Sequence, residues 1–362
     1  MSIETDLKKD GITVIEPLDN SSVISIAQNV SKELYSAFPN FGFTYEELFE
    51  KFSKVPMYIA NIPNGMSEAS YFYKNSAIYF RDGMGLTDLE KFSVHELIHH
   101  LQVQKDKNGN LARLGLCEFN GSKITGMALN EAAVQIIASN TLNFTFENVE
   151  YYNISFSTIS PQIYPLICNL VTQMAYVTGE DILFDSTFNS NNKFKNKFSA
   201  LCGEKNYHII INNLDKILNT EETIIRLNNI LENTDLTPAK SEKIMNKIER
   251  LKIEIQMIYF STQELIITSY FDTLYSSLLT TVDIENFRKN LYNFQELTGS
   301  AQGYYFFNNF YINMMEKLDL KYEIITGSTY LIPRRENKFL KIINFIKKII
   351  LKKEFENSKI DQ

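Results

Sequence analysis

The stretch Ser93-Val-His-Glu-Leu-Ile-His-His-Leu-Gln102 decides how this chain is interpreted. It contains the pattern H-E-x-x-H, formed by His95, Glu96 and His99. On a helix, side chains four positions apart lie on the same face, so both imidazoles can reach one metal ion while Glu96 lies beside it. Zinc is the expected ion, because three protein ligands leave its fourth position for a water molecule. Glu96 is the predicted catalytic base, which accepts a proton from that water.

Histidine is rare outside this stretch. The chain has four histidines, and His95, His99 and His100 fall within six residues while the fourth is His208. The alternative is a buried amphipathic helix whose histidines are ordinary hydrogen-bonded groups. Two histidines on one face without a metal would have to bury or repel each other for no gain, so the pattern favours a metal site. His100 lies about 140° around the helix from His95, which indicates a supporting or surface position.

Two histidines are too few ligands, so a third is expected nearby in the fold. Glu131 is the candidate, in the sequence Leu-Asn-Glu-Ala-Ala within a predicted helix over residues 122–139. The small side chains of Ala132 and Ala133 allow this helix to pack closely against the metal helix, predicted over residues 87–104. The alternative is a carboxylate on a helix surface, where most glutamates lie. Three other acids lack a comparable helical setting and are weaker candidates: Glu118, Glu147 and Glu150.

From about Ala77 to Asn140 the chain resembles the gluzincin metallopeptidases. That thermolysin-like class carries H-E-x-x-H on one helix and a glutamate, often preceded by asparagine, on a following helix. The resemblance implies a zinc peptidase acting on a peptide or protein substrate. Its zinc ligands would be His95, His99 and Glu131, and its catalytic base Glu96. Where thermolysin has an aspartate four residues after the ligand glutamate, this chain has Gln135, whose neutral amide should raise ligand basicity less.

The resemblance also implies a substrate-binding strand and a group that stabilises the oxyanion. The strand before the metal helix, at residues 76–80, would pair with an extended peptide through main-chain groups around Ala77 and Tyr79. A tyrosine or histidine beyond the glutamate helix would bond the developing oxyanion. The choice stays open among His208 with the adjacent Tyr207, Tyr151, Tyr152, Tyr164 and Tyr176. His208 begins an apolar helical run, which favours a structural role for it.

Length and pattern predict an α+β fold that is predominantly helical. The chain has 362 residues, of which 44% are hydrophobic, enough for about two domains. Short aromatic and β-branched runs predict strands at residues 11–18, 55–60, 70–73 and 76–80. From about residue 146 the pattern becomes helical, with separate helices at 207–218 and 221–232. A 42-residue helical run at 238–279 is too long for one globular helix without a kink or a partner helix. We therefore expect a metal-binding domain at 1–145, a helical domain at 146–330 and a tail at 331–362.

Composition excludes several classes of protein. The net charge of −7 excludes nucleic-acid binding driven by counterion release. Cys117, Cys168 and Cys202 are widely spaced and odd in number, which indicates reduced thiols in a cytoplasmic protein. Residues 1–20 contain no apolar run typical of a signal peptide, and no span of about 18 apolar residues predicts a membrane helix.

The tail has its own character. Residues 334–353 contain eight lysines or arginines, with an isoleucine-rich stripe on one helical face. Such a basic amphipathic helix either packs its stripe on the protein body or docks on an anionic membrane surface, which would place the protein peripherally at the inner membrane. The other reading of the whole chain is a binding or regulatory protein on the same scaffold, with a structural or lost metal.

Overall fold

The computed structural model describes residues 3–9, 11–63, 67–107, 111–120 and 123–327. The predicted α+β class is confirmed: a small mixed sheet near the N-terminus is followed by a predominantly helical region. The predicted basic helix at 334–353 lies outside the described residues.

Strands and helices are mixed up to residue 158, and helices follow from there. The strands are β1 (Thr13–Pro17), β2 (Met57–Asn61), β3 (Ala69–Phe72), β4 (Ala77–Arg81), β5 (Val103–Lys105), β6 (Leu111–Leu114), β7 (Glu118–Asn120), β8 (Lys123–Thr125), β9 (Glu147–Tyr151) and β10 (Ile154–Thr158). The helices are α1 (Ile3–Lys9), α2 (Asn20–Ala37), α3 (Tyr45–Phe52), α4 (Leu86–Gln102), α5 (Met127–Thr141), α6 (Pro165–Thr178), α7 (Glu180–Phe188), α8 (Lys193–Cys202), α9 (Glu204–Asn233), α10 (Pro238–Ser276), α11 (Thr281–Phe294) and α12 (Phe306–Thr326).

The first sheet has the strand order β1-β2-β4-β3. Strand β2 is antiparallel to β1 and parallel to β4, and β4 is antiparallel to β3. The predicted peptide-binding role of Ala77 and Tyr79 is therefore wrong, because both lie on β4, whose two edges are already paired. The open edge next to α4 belongs to β3.

The two helices that carry the predicted ligands are both confirmed, with shifted ends. Helix α4 begins at Leu86 with Gly85 at its N-cap, and it ends at Gln102 because the chain turns into β5. Helix α5 begins at Met127 rather than near residue 122, since the preceding segment forms the β7–β8 hairpin. Both helices keep their ligand residues well inside their bounds.

The long helices of the second half pair with each other. Helix α9 is continuous where two helices were predicted, because Asn219 and Thr220 bond back to carbonyls of the preceding turn and do not break it. The 39-residue α10 has α9 as the partner helix that its length requires. An ion pair of 2.7 Å between Lys216 and Glu254 bridges the two.

Three hairpins were not predicted, and the β9–β10 hairpin is the one that lies in the region expected to be helical. Strands β9 and β10 pair antiparallel through a turn at Tyr152 and Asn153, whose φ values are 51° and 59°. A turn with two left-handed residues is usually signalled by glycine, which is absent here. The region after residue 146 therefore begins with strands, and its helices begin at Pro165.

The main hydrophobic core contains buried residues from Val23 to Leu318, and a second, smaller cluster is formed by Leu7, Ile12, Ala60, Ile62, Ala77 and Tyr79. The division into domains at residues 145 and 330 stays a prediction. All three cysteines are buried and unpaired. Within the described ranges, every helix is too short or too polar to cross a bilayer.

Candidate metal centre

Helix α4 presents the H-E-x-x-H residues because its other face is fixed in the core. Leu89 and Leu97 are buried, and the Ser93 hydroxyl donates to the carbonyl oxygen of Leu89. The burial of the two leucines sets the rotation of the helix, whereas the Ser93 bond lies within it. His95 and His99 consequently point together toward α5.

Helix α5 brings Glu131 to the two histidines. Ala132 and Ala133 are fully buried, and their small side chains permit the close approach of α5 to α4 that the sequence predicts. The start of α5 is anchored by Asp215 of α9, whose carboxylate accepts hydrogen bonds from the backbone N–H groups of Gly126 (2.7 Å) and Ala128 (2.9 Å).

The three predicted ligands converge. The Nε2 atoms of His95 and His99 lie 3.0 Å apart, and Oε2 of Glu131 lies 3.4 Å from each of them. A zinc ion bound tetrahedrally at about 2.0–2.1 Å keeps its ligand atoms about 3.3 Å from one another. Two imidazoles and one carboxylate also form a donor set that zinc prefers. The geometry and chemistry of this group therefore fit a metal ion.

Each imidazole is held from behind by a side-chain amide. His95 contacts Oε1 of Gln135 through Nδ1 at 2.9 Å, and His99 contacts Oε1 of Gln102 through Nδ1 at 3.1 Å. Both contacts place the hydrogen on Nδ1 and leave Nε2 to face the centre. The contact with Gln135 is the one that the sequence predicts. Gln102 was not predicted, because a glutamine at the end of a helix has no distinctive signal.

The charges at the centre support one another. Burial opposes a charge on His99, but the attraction and hydrogen bond of Glu131 outweigh it and raise the pKa of His99 to about 9. Burial also opposes the charge of Glu131, yet His99 and His95 hold the pKa of this carboxyl well below its usual range. The anionic carboxylate thus favours a positive charge between the rings. That charge can be a proton or a metal cation.

Glu96 lies against the edge of the sheet. It is 8% exposed, and its Oε2 accepts a hydrogen bond of 2.6 Å from the backbone N–H of Tyr71 on β3. The N–H of Arg81 bonds the carbonyl of Glu68, so the alternation of an antiparallel pair turns the main-chain groups of Ala69 and Tyr71 away from β4. The open edge of the sheet therefore faces the predicted catalytic base.

His100 is a supporting residue. It is partly buried, and its Nδ1 lies 3.2 Å from the hydroxyl of Tyr71. Burial, with the nearby charges of Lys51 and Lys105, lowers the pKa of His100 to about 4. A neutral His100 can accept the Tyr71 hydroxyl and so helps to hold β3 against α4.

Of the candidates for oxyanion stabilisation, Tyr164 is near the centre. Burial raises its pKa well above the usual range, and the carboxylates of Glu131 and Glu96 add to that rise. Its backbone is left-handed, with φ 50° and ψ 42°, at the start of α6. Such a conformation costs a bulky residue about 1–3 kcal/mol and is found preferentially at functional sites.

The other candidates are engaged elsewhere. His208 is exposed on α9, 3.7 Å from Glu204. The hydroxyl of Tyr176 donates to the carbonyl of Asn290, and the rings of Tyr151 and Tyr152 lie 4.1 Å apart at the hairpin turn.

A pocket of about 180 Å³ opens beside His95. Its wall is largely apolar and comes from α4, α5, residues 142–147 after α5 and the segment before α6. The apolar lining includes Phe92, Ala138, Leu142, Phe144, Pro161 and Ile163, and charged groups come from Lys91 and Glu147. A cavity of ~150 Å³ can hold a benzene molecule, so the pocket has room for one large side chain.

The hairpin after α4 joins the centre to the helical region. Ser190, between α7 and α8, donates from its hydroxyl to the carbonyl of Gln102 (2.6 Å) and accepts from the N–H of Gly115 (2.9 Å). Ser190 is buried and has a positive φ of 46°. The end of the metal helix is thus fixed by a residue from the helical half.

Comparison of the chain with protein-family models, with curated proteins and with solved structures found no match in any of the three. The likeness to gluzincins therefore consists of the sequence pattern and the group formed by His95, His99 and Glu131.

Proposed function

We propose that this protein is a zinc-dependent peptidase in which His95, His99 and Glu131 hold the metal and Glu96 is the general base. The observation that carries the proposal is the convergence of three ligand atoms, 3.0–3.4 Å apart, from two packed helices. A zinc ion bound there polarises a carbonyl group and lowers the pKa of bound water to roughly 7.

Glu96 supplies the proton transfer in this proposal. The N–H of Tyr71 holds one of its carboxylate oxygens, which leaves the other to accept a proton from the attacking water. The same carboxyl then gives the proton to the leaving amine. Burial of Glu96 beside the ligands supports this role, because a buried base keeps one position relative to the reacting atoms.

The open edge of β3 positions the peptide. The N–H and carbonyl of Ala69 and the carbonyl of Tyr71 point outward beside Glu96, so an extended peptide can add to the sheet through these groups while the N–H of Tyr71 stays bonded to Glu96. The pocket beside His95 then receives one side chain of that peptide. Tyr164 is the residue that we propose to donate a hydrogen bond to the developing oxyanion, because it is partly buried and near enough to Glu131 and Glu96 for their charges to raise its pKa.

Metal content and peptide cleavage test the proposal together. Protein purified without added zinc should contain about one zinc per chain, and His95→Ala should lose it. Glu96→Gln should keep the zinc and lower cleavage of a peptide library by about 10²–10⁴-fold. The matched control is Glu90→Gln on the same helix, whose side chain instead contacts Ser25 and Asn29 and should leave cleavage unchanged.

The outcomes separate the two readings of the chain. Zinc that is lost in His95→Ala, together with an absence of cleavage in the wild type, would indicate a binding or regulatory protein with a structural metal. Zinc that persists in His95→Ala would contradict the proposed ligand set itself.

A further inference from the structure

A chain of amide groups extends from His99 into the core. Oε1 of Gln102 accepts from Nδ1 of His99 at 3.1 Å, and the amides of Gln102 and Asn130 bond each other reciprocally at 3.0 and 3.2 Å. Oδ1 of Asn130 also accepts from the backbone N–H of Leu116 at 3.0 Å. Both amides are fully buried. The orientation of the His99 ring is thus tied to a backbone group outside both metal-bearing helices.

This chain requires an amide at position 102. Gln102 must accept from His99 with its oxygen and donate to Asn130 with its nitrogen. A carboxylate has no hydrogen to donate, so a glutamate would set an oxygen against Oδ1 of Asn130. Oδ1 of Asn130 is itself held by Leu116 and cannot be exchanged without leaving that N–H unpaired.

The backbone of Gly115 prevents the amide pair of Gln102 and Asn130 from moving on one side. Gly115 lies against the amide pair with a φ of +51°, and a Cβ atom added there would overlap Oδ1 of Asn130 and Nε2 of Gln102. The pair is therefore closed on one side by a backbone that only glycine allows.

The support of His95 is built differently. Oε1 of Gln135 accepts from Nδ1 of His95 at 2.9 Å, while its nitrogen donates to the hydroxyl of Ser139 at 3.2 Å. A hydroxyl can donate as well as accept. A glutamate at position 135 can therefore keep both contacts, with Ser139 reversing its role.

We propose that Gln102 and Gln135 are positioning residues for the two histidine ligands and that a carboxylate has opposite effects on metal affinity at the two positions. Position 102 must be an amide, because its donor keeps the His99 ring in place. Position 135 tunes affinity, because a negative charge behind His95 makes the imidazole a better ligand. This inference rests on the metal site of the proposed function and adds the residues that set its affinity.

The test is the same substitution at both positions, with the zinc dissociation constant measured by competition with a chelator. Gln102→Glu should weaken zinc binding by about 10–100-fold, and Gln135→Glu should tighten it by about 10-fold. Gln28→Glu, an exposed site on α2, is the matched control and should change nothing. The visible absorption of bound Co²⁺ should change in Gln102→Glu, since it reports ligand geometry.

Any other pair of results would overturn the inference: zinc binding that is unchanged or tighter in Gln102→Glu, or unchanged or weaker in Gln135→Glu. If Gln102→Glu does not fold, Gln102→Met provides the test, because methionine has a similar length, offers His99 only a weak acceptor and has no donor for Asn130, and it should also weaken binding. Zinc retained by His95→Ala would instead contradict the metal site. The two failures are therefore distinguishable.

Discussion

Glu221 is a buried carboxyl group that the proposed chemistry does not use. It lies on α9 with 7% of its surface exposed, and its Oε1 has no hydrogen-bond partner among the described residues. Burial raises the pKa of Glu221 from 4.5 to about 8. Its neighbour Glu222 is exposed and pairs with Arg226 at 3.0 Å, which makes the two adjacent glutamates a natural comparison.

Glu221→Gln should change how stability depends on pH. Because the pKa is raised in the folded state, the stability that the neutral group contributes is fully present below pH 4.5 and is lost as pH rises through about 8. The loss is on the order of a few kcal/mol. The free energy of unfolding, measured with urea at pH 6 and pH 9, should therefore fall less between these pH values for Glu221→Gln than for the wild type.

Glu222→Gln is the control for that measurement and should keep the wild-type fall in stability. Any pH dependence of metal binding is common to all three proteins, so it cancels in the comparison. Parallel curves for Glu221→Gln and wild type would contradict the assignment of a buried neutral carboxyl.

The residues of the metal centre differ in how far the sequence predicts their role. His95, His99 and Glu131 were predictable, because their spacing and small neighbours are local features. Gln102 and Asn130 were not, since their pairing depends on how α4 and α5 cross and on the path of Leu116. Tyr164 could be named only as one of several tyrosines, because its left-handed backbone at the start of α6 has no signal in the sequence.

At the scale of elements, α5 depends on an anchor from α9. The carboxylate of Asp215 accepts from two backbone N–H groups at the start of the helix that carries Glu131. Asp215→Asn should leave one of these groups facing an amide nitrogen and should reduce the free energy of unfolding by about 1 kcal/mol. Denaturant unfolding measures this, and Asp235→Asn, at an exposed position, should have no effect.

Strand order was the element-level feature that local pattern could not supply. The strands at 57–61, 69–72 and 77–81 were predicted close to their observed bounds. Which of them lies at the edge depends on the parallel pairing of β2 with β4, a contact between distant segments. The β9–β10 hairpin was missed for a local reason, because Tyr152 and Asn153 form its turn without glycine.

At the scale of the whole molecule, a bound metal should add to stability by joining α4 and α5. A ligand whose free concentration is 100 times its dissociation constant stabilises the folded state by about 2.7 kcal/mol. The wild type should therefore melt a few degrees higher with zinc than with a chelator. His95→Ala should melt at one temperature in both conditions, and a zinc response in that variant would place the stabilising ion elsewhere.

Ser190 has a consequence for anyone who shortens this chain. A fragment that ends before α7 would lack the Ser190 hydroxyl, which donates to the carbonyl of Gln102 and accepts from the N–H of Gly115. Those two groups sit directly beneath the amides that aim His99. Both histidines come from one helix, but the support of His99 depends on Ser190, which lies 88 positions after Gln102 in the sequence.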